Sequence, residues 1–306
     1  MIGHALVLTA GHGTRLRPLT NVRAKPAVPV SGEPIVRRII RWLAGQGVDD
    51  LVLNLHHLPH TISSLVGDGA DLGVRVRYSW EQPEVLGSAG GPRRALPIID
   101  SETFFVVNGD TMTDFHLDPI ADAHARSGSL VTMALVPNRE PHRYGGVVLD
   151  RSGAFSGFAR RGDAAAGSFH FIGIQIVQAD VFREIADGRV TNIHDVYEAL
   201  ARSKPGCIRG HVCDASFWDI GTPADYWQTN AAFLADLPPQ RAFGRNTRID
   251  PTSTVTNSIL WDDVEVQARA VLEDCIVTDG VTVPAGATYR RAILVRDGNT
   301  VAVTAL

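Results

Sequence analysis

An α/β domain on a mostly parallel sheet, followed by a short parallel β-helix, is the architecture the sequence predicts. Three observations carry it. Short apolar runs alternate with stretches of helical period over roughly the first 235 residues. Two of those runs end in glycine-containing polar loops, after Thr9 and after Val107. Beyond that point the helical period disappears, and small apolar residues return at six-residue spacing.

Taken in order, Ala5–Thr9 (ALVLT) is a buried parallel strand feeding a glycine-rich turn. The stretch 34–45 carries Ile35, Ile39, Ile40 and Leu43 at helical spacing. Asp50–Leu55 is a second strand, and Ile62–Val66 lies in a second helix. The run 74–78 alternates apolar and polar residues, as a half-buried strand does. Thr103–Val107 (TFFVV) is a buried strand ending at Asn108-Gly109-Asp110, and 130–136 is another. In such sheets ligands bind outside the carboxyl ends of the strands, where both loops stand. Leu237-Pro238-Pro239 marks a boundary, giving domains 1–235 and 236–306. In the second domain Val264, Ala270 and Ile276 repeat every six residues, and Thr282 continues the series imperfectly. That is one β-helix strand per hexapeptide.

Apolar residues make up 44% of the 306 and charged residues 20%, with a net charge of −4. This is a globular composition without the basic surplus of a nucleic-acid or membrane-surface binder. An anionic substrate then needs local positive charge. Cys207, Cys213 and Cys275 are too scattered for a disulfide framework or a zinc site, which points to a reducing cytoplasm. Met1-Ile2-Gly3-His4 lacks the charged and apolar regions of a signal peptide, and no apolar stretch approaches the ~18 residues of a membrane span. The expectation is a cytoplasmic protein with neither nucleic acid nor membrane as partner.

The first chemical signal is the run from Leu8 to Thr20, LTAGHGTRLRPLT. Glycines after a strand let a phosphate approach the backbone and meet its N–H groups. Arg15, Arg17 and, shortly after, Lys25 in Ala24-Lys25-Pro26 add charge-assisted donors. The pattern is neither a Walker loop nor GxGxxG, and a plain tight turn does not account for the clustered cations. Asp110, at the end of a strand, is placed for a hard cation such as Mg²⁺, although Asn108-Gly109-Asp110 alone reads first as a polar turn. In Trp218-Asp219-Ile220-Gly221-Thr222-Pro223 an aspartate between apolar residues needs a partner, and a metal shared with Asp110 supplies one. Thr222 and Pro223 read as the N-cap and first residue of a helix.

With these motifs in this order, residues 3 to 235 resemble the nucleotidyltransferases that make nucleotide sugars from sugar 1-phosphates. Leu8–Thr20 matches the glycine-rich signature and Lys25-Pro26 the Lys-Pro step. Leu86-Gly87-Ser88-Ala89-Gly90 matches Leu-Gly-Thr-Ala-Gly, and Asp110 the metal aspartate. Tyr144-Gly145 matches the sugar-pocket step, and Trp218–Pro223 matches Trp-x-Asp-Ile-Gly-Thr-Pro one spacer short. The tail resembles the left-handed β-helix of many members, including mannose-1-phosphate guanylyltransferases. The resemblance therefore implies a Rossmann-like domain with a short left-handed β-helix and a homo-oligomer built through it. It implies in-line attack of a sugar-phosphate oxygen on the α-phosphorus of a nucleoside triphosphate, by positioning and charge neutralisation. Asp110 and Asp219 would hold Mg²⁺ between the two substrates. The backbone of Gly11 to Thr14, with Arg15, would hold the departing pyrophosphate, and Lys25 would bridge the attacking phosphate and the α-phosphate. Leu8, Ala10, Gly11, Gly13, Thr14, Glu81, Gly87, Ser88 and Asn108 make up the implied nucleotide set. Gly145, Arg161, His170 and Gly173 make up the implied sugar-phosphate set.

Two positions depart from the family pattern. Arg160-Arg161-Gly162 stands where the family has Glu-Lys-Pro, and Arg and Lys are not interchangeable. Phe171-Ile172-Gly173 replaces Asn-Ala-Gly, and Phe169–Ile174 looks more like the N-acetylmuramate-1-phosphate uridylyltransferase branch. The Leu-Gly-Ser-Ala-Gly loop with the β-helix favours GTP and mannose 1-phosphate or a related hexose or heptose 1-phosphate. The alternatives are UTP with an amino-sugar 1-phosphate, or a regulatory subunit that binds nucleotide sugar without catalysis. His56, His57 and His60 read as a surface cluster at a helix start rather than a metal site. His170 reads as a packed residue that can also face the sugar, and Trp218 and Trp227 read as core.

Overall fold

The computed structural model describes residues 2–234, 243–298 and 300–306. The expected boundary at Leu237-Pro238-Pro239 lies outside them. The chain forms two compact units. One comprises Met1–Gly11, Ile39–Pro59 and Val66–Trp218; the other comprises His12–Arg38, His60–Leu65 and Asp219–Leu306.

The first unit is organised by a nine-stranded sheet. Its strands are β1 (His4–Leu8), β2 (Asp50–Leu55), β3 (Arg75–Trp80), β4 (Thr103–Asn108), β5 (Val131–Pro137), β6 (Gly146–Leu149), β7 (Phe155–Ala159), β8 (Phe169–Gln178) and β9 (Ile208–Val212). The order is β7-β6-β8-β4-β1-β2-β3, with β5 pairing β8 and β9. β4, β1, β2 and β3 run parallel. Their apolar runs follow from burial on both faces: Ala5–Val7 and Phe104–Val107 are all buried. β8 runs antiparallel to β4 and β5 while β9 runs parallel to β5, so the sheet is parallel on one flank and mixed on the other. β6, β7 and β9 are short, and a register shift between Phe155 and Gly157 breaks the alternation that would announce them in sequence. Phe104, Phe182, Tyr197 and Ile208 anchor the core beneath this flank.

The second unit contains the turn Lys25–Ala27, the hairpin Pro29–Val30/Glu33–Pro34, the helix Pro223–Leu234 and the β-helix. Thr222 caps the helix as its sequence predicts. Its N–H and hydroxyl donate to Asp225 at 2.8 Å each, and the Asp225 N–H donates back at 3.2 Å. The helix is held to the hairpin by the Tyr226 hydroxyl, which donates to the Pro29 carbonyl at 2.6 Å. The coils stack three short parallel sheets, and stacked partners lie 17 residues apart. Val264, Ala270 and Ile276 are buried as expected, but Thr282 is exposed and Val281 and Val283 are buried instead. A coil one residue short of three hexapeptides moves the inward position back by one, which corrects the strict six-residue repeat. Trp218 and Trp227, expected in the core, are half-buried; the fully buried tryptophan is Trp261.

Candidate active site

In the first unit the expected ligand-facing residues gather at the carboxyl ends of the parallel strands. Leu8 pairs with Asn108 across β1 and β4, so Ala10-Gly11 and Gly109-Asp110 leave neighbouring strands side by side. The Gly109 N–H donates to the Leu8 carbonyl at 3.0 Å. Gly173, in β8, has φ +81°, and a Cβ there would sit 3.0 Å from the Asn108 side chain. Glycine is required here both for the left-handed backbone and for that close approach.

Glu81, expected at the nucleotide, is fully buried, and both its carboxylate oxygens accept hydrogen bonds from the protein itself. One carboxylate oxygen accepts from the Asn54 amide at 2.6 Å, the other from the Leu86 N–H at 2.7 Å. Asn54 in turn accepts from the Thr9 N–H at 2.6 Å, and the Thr9 hydroxyl donates to the Asn54 carbonyl. This chain of bonds ties the loop after β1 to the loop carrying Leu86-Gly87-Ser88. Ser88 is used at the next element: its hydroxyl accepts from the Ile193 N–H at 2.9 Å, where the helix Ile193–Ser203 begins. Asn54 gives no signal in sequence beyond being a polar residue inside an apolar strand, and sequence reasoning missed it.

The second unit holds Arg15, Arg17 and Lys25, the cations that follow the glycine-rich turn. Gly13 has φ +60°, and a Cβ there would meet Thr20 at 2.8 Å and the Lys25 Cβ at 3.2 Å, so the glycine lets the loop fold against the Lys25 turn. Arg15 is exposed, and its guanidinium passes the backbone of Gly221, two residues beyond Asp219. Lys25 is buried and Asp219 half-buried. Arg23, which sequence reasoning also missed, is buried and donates to Asp279 at 2.7 and 2.6 Å and to Asp262 at 2.9 Å.

A cavity of about 300 Å³ opens in the first unit between β6, β7, β8 and the start of the helix Ile193–Ser203. Gly145 and His170 of the sugar-phosphate set line it, with Phe158, Phe171 and His194. A Cβ on Gly145 would approach the Ala159 carbonyl to 3.0 Å and the Arg161 N–H nitrogen to 3.7 Å, so Tyr144-Gly145 lies along the Arg160-Arg161 segment. His170 lies between Tyr144 and Phe217, with ring centroids 4.2 and 4.7 Å away. Burial, helped by the nearby charge of Arg143, pushes its pKa down to about 4, so the ring is neutral at pH 7. Arg161 itself is exposed.

The family described as Nucleotidyl transferase matches residues 4–236. The chain belongs to that family. A second match, to the GlmU-like C-terminal hexapeptide, covers residues 241–299 of this nucleotidyl transferase. It is 28% identical to the mannose-1-phosphate guanylyltransferase of Mycobacterium tuberculosis over 298 residues, covering 88% of this chain and 82% of that one. It is likewise 28% identical over 297 residues to a UTP–glucose-1-phosphate uridylyltransferase of Synechocystis, covering 91% and 76%. Among solved structures, HddC from Yersinia pseudotuberculosis complexed with GMP-PN superposes with a TM-score of 0.65 at 24% identity, covering 76% of this chain and all of that one. A putative glucose-1-phosphate thymidylyltransferase from Bacillus anthracis gives 0.67 at 19% identity, covering 79% and 99%. These two likenesses speak to the fold. No helix among the described residues of this nucleotidyl transferase is long and apolar enough to cross a membrane.

Proposed function

We propose that this enzyme joins a nucleoside triphosphate to a sugar 1-phosphate and releases pyrophosphate, with GTP and mannose 1-phosphate or a related hexose or heptose 1-phosphate as substrates. The observation that carries this is the glycine-rich Leu8–Thr20 loop with its cations, inside a family match that spans residues 4–236. The guanylyltransferase relatives support guanine and mannose. A second reading, UTP with an amino-sugar 1-phosphate, is favoured by the Phe169–Ile174 segment and by the uridylyltransferase relative.

The site roles belong to the same proposal. Asp110 and Asp219 are the metal ligands. Among the described residues no cluster of three or more His, Cys, Asp or Glu is placed to hold a metal. Two carboxylates alone fit Mg²⁺, which keeps waters and substrate phosphates as its remaining ligands, and do not fit a structural zinc. When bound, the ion would neutralise charge on the phosphates. The protein's own part is to orient. The backbone of Gly11 to Thr14 and Arg15 receives the pyrophosphate oxygens, Lys25 lies against the reacting phosphates, and Gly87 with Ser88 faces the base. Arg161 supplies a cation to the sugar phosphate. We take 1–235 as the transferase domain, 236–306 as a β-helix domain through which copies of the chain associate, and the cytoplasm as the compartment.

The test is pyrophosphate release by the purified protein with Mg²⁺, across GTP, UTP, ATP, CTP and dTTP and several sugar 1-phosphates. Turnover with GTP and a hexose 1-phosphate supports the first reading, and turnover with UTP and an amino sugar the second. Nucleotide-induced thermal stabilisation without release supports the regulatory subunit instead. Asp110→Asn should lower Mg²⁺-dependent turnover by about 10²-fold, the order lost with one preorganised electrostatic contact; undiminished turnover would remove Asp110 from the metal site.

A further inference from the structure

We infer that the cavity of the first unit selects a sugar 1-phosphate bearing a methyl group, either a 6-deoxy carbon or the methyl of an acyl substituent, over the same sugar without that methyl. This rests on the proposed sugar-1-phosphate reaction, with the sugar at Gly145 and His170. The cavity wall is the reason. Met133, Val147 and Tyr197 are buried at its back, and Phe158, Phe171 and Ile193 flank it. Among the described residues lining it there is no Asp, Glu, Lys or Arg.

The polar side chains present are few: His170, Gln175, His194 and Tyr197. The Gln175 side-chain carbonyl accepts from the Tyr197 hydroxyl at 2.7 Å, which commits the one donor of that buried hydroxyl. His170 is packed between two aromatic rings, and His194 lies against Phe158 with centroids 4.2 Å apart. A hydroxyl pressed against the apolar part of this wall, formed by Met133, Val147, Phe158, Phe171 and Ile193, gives up its water without gaining a partner. A methyl group gains by the apolar area it buries. The volume, about 300 Å³, suits one sugar-sized group rather than a larger chain.

Matched pairs test this with the full-length protein, Mg²⁺ and each of the five nucleoside triphosphates. Mannose 1-phosphate is set against 6-deoxymannose 1-phosphate, glucose 1-phosphate against 6-deoxyglucose 1-phosphate, and glucosamine 1-phosphate against N-acetylglucosamine 1-phosphate. We expect kcat/KM to favour the methyl-bearing member of at least one pair by about tenfold or more, the scale of one methyl group in an apolar pocket, with most of it in KM. A 6-deoxy preference identifies the ring methyl and an N-acetyl preference the acyl methyl; either supports the inference. The isosteric Val147→Thr, which adds a hydroxyl to the wall, should cut the preference to below about threefold. Phe158→Ser should do the same by a different route. Turnover with equal or greater efficiency for the methyl-lacking member of every pair overturns the inference and leaves the sugar-phosphate reaction standing. No pyrophosphate from any combination overturns both.

Discussion

Replacing Asp279 with alanine should loosen the loop that carries Lys25, although Asp279 belongs to the β-helix. Arg23 stands two residues before Lys25 and is 8% exposed. Its Nε and Nη2 donate to the two Asp279 oxygens, Nη2 also reaches Asp262, and the guanidinium lies 5.3 Å from the centroid of Trp261. Burial by itself would lower the Arg23 pKa; the bonds to Asp279 and Asp262 outweigh this and hold it above the ordinary value. Without Asp279 the buried guanidinium keeps only Asp262, which Arg245 already holds at 2.8 Å. Breaking a fully buried ion pair costs about 3–5 kcal/mol. The Asp279 side chain is 29% exposed, and solvent screening brings the expected loss to about 2–3 kcal/mol. In a chain of this size that lowers the thermal midpoint by about 3–5 °C. Calorimetry reads the size of the effect, and hydrogen exchange reads its place. The Ala27 and Val28 amides, which donate to the Ala24 and Lys25 carbonyls, should exchange faster. An unchanged midpoint would refute the energetic argument. A lower midpoint with normal exchange at Ala27 and Val28 would refute the claim that the β-helix pins this loop.

Three further outcomes follow from the same structure. Glu81→Ala strands the Asn54 amide and the Leu86 N–H in a dry interior, so urea unfolding should show a loss of about 2–4 kcal/mol; a loss under about 0.5 kcal/mol would mean water replaces the carboxylate. Gly173→Ala forces a side chain into a left-handed backbone beside Asn108 and should destabilise by about 1–3 kcal/mol in the same assay. His170 titrates at 6.5 when unfolded and at about 4 when folded. The unfolded chain therefore takes up the proton first, and this contribution to stability is whole above pH 6.5 and lost as pH falls towards about 4. His170→Gln should flatten the stability curve across that window, and an unaltered curve would show that the ring is protonated in both states alike.

What was legible in the sequence was local. Ala5–Thr9 and Thr103–Val107 announced themselves as buried strands because both faces of a central parallel strand are apolar. Thr222-Pro223 announced a helix start because capping is settled within a few residues. The six-residue repeat and its imperfect step at Thr282 were visible, but the return of the inward position to Val281 was not, since the length of a coil is set by how one turn stacks on the next.

The sequence by itself determined the α/β order, the glycine-rich loop with its cations, and the aspartates at strand and helix ends, for each of these is written in neighbouring residues. Only the tertiary structure decided that Glu81 is a buried strut, that Arg23 answers to Asp279 across 256 positions of chain, and that the cavity beside His170 is walled by apolar side chains. Those facts depend on groups brought together by packing. Packing pairs residues by shape and charge, and leaves no period or spacing along the chain to read.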